Sequence, residues 1–254
     1  MHSSSTLRVC VIVPVYDHHA ALPRLVDALR STGLTCWLVD DGSHAPCADA
    51  VQRVCIENSR WAHRLRLESN QGKGAAVLFG LRAAQAAGFT HAVQIDADLQ
   101  HDPSCIGDFV TAAERNPAAV INGVPQYDAS VPAVRLHGRR ITTALVWVHT
   151  LSRQIADAMC GFRLYPIAPA VALDERVRIG RRMEFDTDII VRLFWAGVSV
   201  VNLKTPVTYP ADGVSHFRML RDNLRMGWLH LRLLAGMLIR LPRLLPRRLA
   251  GRAP

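Results

Sequence analysis

The sequence has no apolar run long enough to cross a bilayer, which takes about 20 residues. The uncharged stretches Ile141 to Ser152 and Leu233 to Ile239 both fall short. Met1 to Thr6 is short and polar, so no signal peptide is expected. The six cysteines are scattered, with no CxxC pair. That argues against a disulfide framework or a zinc site and makes a reducing compartment the default. No GxxxxGK[ST] is present, which excludes a P-loop, and no GxGxxG, which weakens a nicotinamide-binding reading. Internal repeats and low-complexity linkers are absent as well.

What is present is a chain of 254 residues, half of them apolar, enough for one α/β domain with a sizeable core. Its net charge of +9 is unevenly placed. Nine arginines and one acid, Asp222, lie from Phe217 onward, so that segment carries +8 and everything before it only +1. A basic tail of this kind can meet nucleic acid or an anionic membrane surface.

Strand and helix patterns alternate. Strands are expected at Val9 to Val15, Thr35 to Val39, Leu65 to Glu68, Ala92 to Ile95, Ala119 to Ile121 and Val198 to Leu203. Helices are expected at Ala21 to Arg30 and Asp49 to Ile56, in an Ala-rich stretch opened by Gln71-Gly72-Lys73-Gly74 and running to Ala87, and at Pro103 to Asn116, Ile141 to Ser152 and Glu184 to Trp195. A long helix pattern from His216 to Leu241 should break at Pro242. This rhythm predicts a parallel sheet with helices on both faces. In such sheets ligands bind beyond the carboxyl ends of the strands. Three polar clusters fall there: Tyr16-Asp17, Asp40-Asp41-Gly42-Ser43 and Asp96-Ala97-Asp98.

Asp96 and Asp98 stand at i and i+2, so both side chains leave an extended segment on one side. Two adjacent carboxylates repel unless a cation lies between them. Mg²⁺ or Mn²⁺ would relieve that and leave positions for phosphate oxygens, with Gln100 as a further ligand. A solvated acidic turn is the competing explanation. Asp40-Asp41-Gly42-Ser43 can accept hydrogen bonds from a ribose or base edge, but Asp-Gly also forms turns readily. Lys73, near a helix start, can meet a phosphate.

Together the pieces resemble one family. Val11-Ile12-Val13-Pro14-Val15-Tyr16-Asp17, Val39-Asp40-Asp41-Gly42-Ser43, Asn70-Gln71-Gly72-Lys73-Gly74 and Asp96-Ala97-Asp98-Leu99-Gln100-His101-Asp102-Pro103 are similar to the successive motifs of family 2 glycosyltransferases. Cys160-Gly161-Phe162-Arg163, Met183-Glu184-Phe185-Asp186 and Thr205-Pro206-Val207-Thr208-Tyr209 continue the match, which covers roughly residues 8–220. The variant most resembles dolichyl- or polyprenyl-phosphate mannosyl- and glucosyltransferases. Short chains of this kind also resemble those encoded with aryl-polyene pigment pathways, which would make a polyene lipid the acceptor.

The resemblance implies an α/β GT-A fold with a Rossmann-like, mostly parallel sheet, and inverting transfer from a nucleotide-diphosphate sugar to a lipid or polyprenyl-phosphate acceptor. It implies a donor site drawn from Pro14, Tyr16, Asp17, Asp40, Asp41, Lys73, Ala97, Arg139 and Arg218, and a metal on Asp96, Asp98 and Gln100. Arg135 and Arg140 are further candidates for phosphate contacts, since Arg suits bidentate binding. His216-Phe217 stands where the family carries Lys-Leu, which moves the acceptor-phosphate contact toward Arg218. A phosphate acceptor needs no base, whereas a hydroxyl acceptor would need a carboxylate in reach. Glu184 and Asp186 are the candidates, although acids at a helix N-terminus are also favoured by the dipole alone.

The division expected is a catalytic domain over 1–215 and a basic amphipathic tail over 216–254. Arg218, Arg221, Arg225 and Arg232 mark one narrow helix face, and Leu220, Leu224, Trp228, Leu231, Leu234 and Leu238 make the rest strongly apolar. That suits a bilayer interface; packing on the catalytic domain is the alternative. Nucleic acid is disfavoured, because large aliphatic residues separate the arginines. The expected location is the cytoplasmic face of a bacterial inner membrane. Two rivals remain: a sugar nucleotidyltransferase, which should carry a Gly-rich basic loop where Pro14-Val15-Tyr16 stands, and a non-catalytic membrane-surface adaptor.

Overall fold

A computed structural model describes residues 7–127, 131, 133–208 and 219–249. Seven strands form one sheet: β1 (Val9–Val15), β2 (Thr35–Asp40), β3 (Ala62–Arg66), β4 (His91–Gln94), β5 (Val120–Tyr127), β6 (Arg163–Pro166) and β7 (Val200–Val207). Their order is β3-β2-β1-β4-β6-β5-β7. The chain winds outward from β1 through β2 to β3, then returns to the other side of β1 with β4. β1 therefore lies at a switch point, where loops diverge and leave a crevice. Both of its neighbours, β2 and β4, run parallel to it. The ends of β1, β2 and β4 thus open on the same edge of the sheet.

Not every strand is parallel. β6 runs antiparallel to both β4 and β5. Neither this strand nor α6 (Ile167–Arg176) was expected from the periodicity. Four residues led by an arginine give no apolar run to detect, yet all four are buried. β3 is shifted from its expected place because it is an edge strand with a mixed sequence, Ala-His-Arg-Leu-Arg, and only one of its residues is buried.

The helices on one face are α1 (Leu22–Arg30), α2 (Ala45–Glu57) and α4 (Ile106–Arg115), which enclose Val11, Val13, Leu25, Leu38, Val51 and Phe109. α2 starts four residues before its expected position, with Pro46 in the first turn, where a missing N–H costs nothing. A 3-10 turn, Pro103–Cys105, precedes α4. On the other face α3 (Lys73–Ala86), α6 and α7 (Phe185–Trp195) close over Ile12, Val39, Leu78, Tyr165 and Ile189.

A third cluster joins α5 (Ala133–Thr150), α7 and α8 (Met219–Leu249). The helix does not break at Pro242: both Pro242 and Pro246 lie inside α8. Each proline removes an N–H and crowds the preceding turn, and Leu244 between them is buried. α8 carries two apolar stripes. Met226, Leu229, Leu233 and Met237 face inward and are buried. Leu220, Leu224, Trp228, Leu231, Leu234 and Leu238 are all exposed, as are Ile141, Leu145 and Val148 on α5. Gly236 lets α8 press on Trp195, whose ring also lies 4.7 Å beneath the Arg240 guanidinium. No described helix is long and apolar enough to cross a membrane. The expected boundary at 215/216 lies outside the described residues.

Candidate active site

The three strand-end clusters occupy the shared edge of β2, β1 and β4. Asp17 follows β1 with a positive φ of 51°, a strained turn for a non-glycine residue. Its carboxylate accepts from the His44 amide at 2.9 Å and stands 2.7 Å from His44 Nδ1. Its own amide donates to Ser43 Oγ at 3.1 Å, tying the first loop to the second. Tyr16 lies beside them, its ring centroid 6.4 Å from that of His44. Pro14 and Tyr16 are half-buried at this edge.

Asp40 and Asp41 differ in role although adjacent. Asp40 is fully buried and accepts from the Ser43 amide at 2.8 Å, from Arg64 and from Arg66. It closes the turn and braces β3, so its carboxylate is already committed. Asp41 accepts from the amides of Gln71 and Gly72, each at 2.8 Å. Burial raises its pKa while these two bonds oppose the rise. Asp41 thereby positions the loop that starts α3. Gly72 adopts φ +106°, and a Cβ there would overlap the Arg181 carbonyl, so both conformation and space require glycine.

Lys73, the first residue of α3, reaches the centre. Its Nζ donates to Asp96 Oδ2 at 2.7 Å and to Asp186 Oδ2 at 2.8 Å. Burial opposes its charge, but the two carboxylates hold its pKa above the ordinary lysine value. Asp96 is affected the other way: burial would raise its pKa, and Lys73 holds it below the usual carboxylate range. Asp98 is pushed up, first by burial and then by the charge of Asp96. The Gln100 amide donates to Asp98 Oδ1 at 3.1 Å, with Leu99 between them at φ 59°. Ala97 is buried.

These residues fit a divalent cation. Asp96 Oδ1 is buried and makes no hydrogen bond of ordinary geometry among the described residues, although the nearby Gln94 side chain also favours the charged carboxylate. A buried carboxylate oxygen without a partner, next to a second carboxylate, is what a cation preferring hard oxygen ligands would take up.

Several other candidates are engaged within the protein. Asp186 accepts from Gln94 Nε2 at 3.0 Å as well as from Lys73, so both its oxygens are used within the protein. Asp188 accepts from the Gly180 amide at 2.8 Å and from Arg192. Glu184 Oε1 receives only a long bond, 3.4 Å, from the Arg182 amide, and Oε2 is buried without a partner among the described residues. Arg139 binds Asp157 through two bonds of 3.1 and 2.9 Å, an intramolecular fork. Arg140 is exposed. Arg218 and the side chain of Arg135 lie outside the described residues.

Gln94 escaped the sequence analysis, and Gly161 and Arg163 stood there only as part of a matched motif, without a role. Gln94 joins Asp186 to Tyr165, whose hydroxyl donates to Gln94 Oε1 at 3.3 Å. Arg163 is fully buried and donates to Asn122 Oδ1 at 2.8 Å and to the Asp186 carbonyl. Gly161 lies against the centre: a Cβ there would overlap the Lys73 ammonium and stand 2.6 Å from Asp96 Oδ2. The motif Cys160-Gly161-Phe162-Arg163 pointed to two of them but not to their contacts, and a polar residue inside the short strand β4 was the signal for Gln94.

The profile of Glycosyl transferase family 2 matches residues 10–169. The polyprenol monophosphomannose synthase of Mycolicibacterium smegmatis is 24% identical over 227 residues, covering 87% of this chain and 84% of that one. The undecaprenyl-phosphate 4-deoxy-4-formamido-L-arabinose transferase of Aeromonas hydrophila is 31% identical over 120 residues, 44% of this chain and 36% of that protein. The match thus spans only about a third of that relative's length. Among solved structures, glucosyl-3-phosphoglycerate synthase from Mycobacterium tuberculosis, in complex with Mn²⁺, UDP-glucose and phosphoglyceric acid, aligns with a TM-score of 0.65 at 13% identity, over 92% of this chain and 80% of that one. A mannosyltransferase from Pyrobaculum calidifontis, in complex with GDP-mannose and Mn²⁺, aligns at 0.57 and 17% identity, over 83% and 59%. The fold is GT-A, and the chain belongs to glycosyl transferase family 2.

Proposed function

We propose that this chain is an inverting glycosyltransferase that moves a sugar from a nucleoside-diphosphate donor to a lipid-phosphate acceptor at a membrane surface. The observation that carries the reading is the buried, unpartnered Asp96 Oδ1 beside Asp98, at the edge where the ends of β1 and β2 supply the other two polar loops. In this reading Pro14, Tyr16, Asp17 and Asp41 line the nucleoside pocket. Asp40 and Lys73 shape the site from behind rather than touching the donor's sugar.

Asp96 and Asp98, with Gln100, would hold Mg²⁺ or Mn²⁺, and the bound ion would neutralise charge developing on the leaving diphosphate. The rest of the chemistry falls to positioning. A phosphate acceptor is already anionic and needs no base. That suits a site in which Asp186 and Asp188 are both bonded within the protein. Glu184, with one unpartnered oxygen, is the carboxylate left for an acceptor that does carry a proton. The names of the relatives, a polyprenol monophosphomannose synthase and an undecaprenyl-phosphate 4-deoxy-4-formamido-L-arabinose transferase, support a lipid phosphate. The exposed apolar stripe of α8 and its neighbours on α5 support a membrane surface as the place of reaction.

The test is to incubate the purified protein with polyprenyl phosphate in vesicles, Mn²⁺ and a panel of nucleotide sugars, and to measure nucleoside diphosphate release. Release should require lipid phosphate and metal together. Asp98→Asn should lower it at least ~100-fold, the usual scale for losing stabilisation of developing charge. Its melting temperature should not fall, because the substitution relieves repulsion from Asp96. An active Asp98→Asn enzyme, or full release in the presence of a chelator, would sink the metal assignment.

A further inference from the structure

The chain has 30 basic residues and only two of them are lysines, Lys73 and Lys204. Where nearly every other cation is an arginine, a lysine stands at the one position between two acids of the centre. The space explains the choice. Gly161 closes so tightly on the Lys73 ammonium that even a methyl group would collide, and a planar guanidinium needs more room than a compact ammonium.

The ammonium is anchored from behind. Asp186, which shares it, is held by Gln94, and Gln94 by Tyr165; all three are buried, Asp186 in α7 and the other two in the sheet. In front, Lys73 takes Asp96 Oδ2 and leaves Oδ1 unpartnered. Asp186 thus has no free oxygen for a substrate, yet it sits one ammonium away from the residue with the orphaned oxygen.

We infer that Lys73 is a resident counter-ion of the metal site, shared between Asp96 and Asp186, which keeps the site from binding a divalent ion strongly until the donor's diphosphate arrives. The inference rests on the proposed metal at Asp96 and Asp98. Its physical basis is charge. A cation 2.7 Å from one metal-binding carboxylate repels an incoming divalent ion, and that repulsion is strong in a buried setting. A nucleoside diphosphate brings the negative charge that offsets it, so ion and donor should bind as a unit. Asp186 sets the degree: the more of the ammonium it takes, the more of Asp96 remains for the ion. Lys73 and Asp186 are positioning residues, acting through Asp96.

The experiment measures Mn²⁺ binding by calorimetry, alone and with UDP or GDP, in the folded 254-residue chain. Wild type should bind Mn²⁺ weakly alone and more tightly with a diphosphate. Lys73→Met/Asp186→Asn removes the pair with little change in volume, and should tighten binding of Mn²⁺ alone at least ~10-fold while shrinking the gain from the diphosphate. Asp186→Asn by itself gives the whole ammonium to Asp96, so Mn²⁺ alone should bind more weakly than to wild type. A double variant that melts like a folded protein but binds Mn²⁺ alone no tighter than wild type overturns the inference. So does a single Asp186→Asn variant that binds Mn²⁺ more tightly, which keeps the test open should the double variant not fold. Failure of the metal reading itself looks different: wild type would then bind no Mn²⁺ with either diphosphate, and Asp98→Asn would change nothing.

Discussion

At the scale of single residues, the site is organised by which carboxylates are left free. Asp96 shows one oxygen to Lys73 and one to the site. Gly161 guards that arrangement through lack of a side chain rather than through its backbone, since it is not among the glycines with positive φ. Gly161→Ala should therefore fold, yet displace the Lys73 ammonium or Asp96. Displacements near 1 Å at a reacting centre cost up to about 100-fold in rate, so turnover should fall at least ~10-fold. Steady-state kinetics alongside a melting curve check this; unchanged turnover would show that the contact does not matter. The acidic pair was legible in the sequence because both residues follow a strand directly. The role of Lys73 was not, because its second partner, Asp186, lies 113 residues away.

At the scale of elements, α8 is fastened to α5 and α7 by a buried stripe and by polar contacts that include an unusual pair. His149 Nε2 and His230 Nδ1 stand 3.1 Å apart. Burial, followed by the neighbouring His230, pulls His149 down to about 4, and burial also lowers His230. Both rings therefore hold a proton less readily in the fold than in the unfolded chain, where they take one up near pH 6.5. Their contribution to stability is fully present above that value and is lost as pH falls toward about 4. The melting temperature should drop between pH 7 and pH 5, and His149→Phe should flatten the dependence. Trp195, whose Nε1 donates to the His149 carbonyl at 3.0 Å, provides a fluorescence reading of the same interface. An equally steep pH profile in the variant would remove the pair from the explanation. The helix itself was plain from the sequence, but not its continuation past Pro242. A proline weakens a helix locally, and the packing that holds Leu244 outweighs it only in the folded molecule.

At the scale of the whole molecule, arginines and exposed apolar residues share α8. The segment from Phe217 carries +8, and the exposed stripe of Leu224, Trp228, Leu231 and Leu238 runs along the same helix. Some of the arginines act within the protein: Arg225 pairs with Asp222 at 3.3 Å, and Arg232 donates to the Arg178 carbonyl at 2.9 Å. The surface should bind vesicles containing anionic lipid more strongly than neutral ones, and less as salt rises, because exposed charges are screened within about 8 Å at physiological ionic strength. Leu224→Glu/Trp228→Glu should abolish sedimentation with vesicles while leaving the melting temperature nearly unchanged, since both residues are exposed. Undiminished sedimentation would mean that this stripe does not face the bilayer.

The sequence by itself determined the alternation of strands and helices, the three polar clusters at strand ends and the position of the acidic pair, because each depends on neighbours a few residues apart. Tertiary structure decided which charged groups remain available. Asp40 is taken by Arg64 and Arg66, Asp186 by Lys73 and Gln94, and Arg139 by Asp157, all through contacts between separate elements. It also separated the two stripes of α8, since an apolar face reads the same in sequence whether protein or lipid covers it. A carboxylate's chemistry is set by burial and by the charges within a few ångströms, and for these residues those charges come from distant parts of the chain.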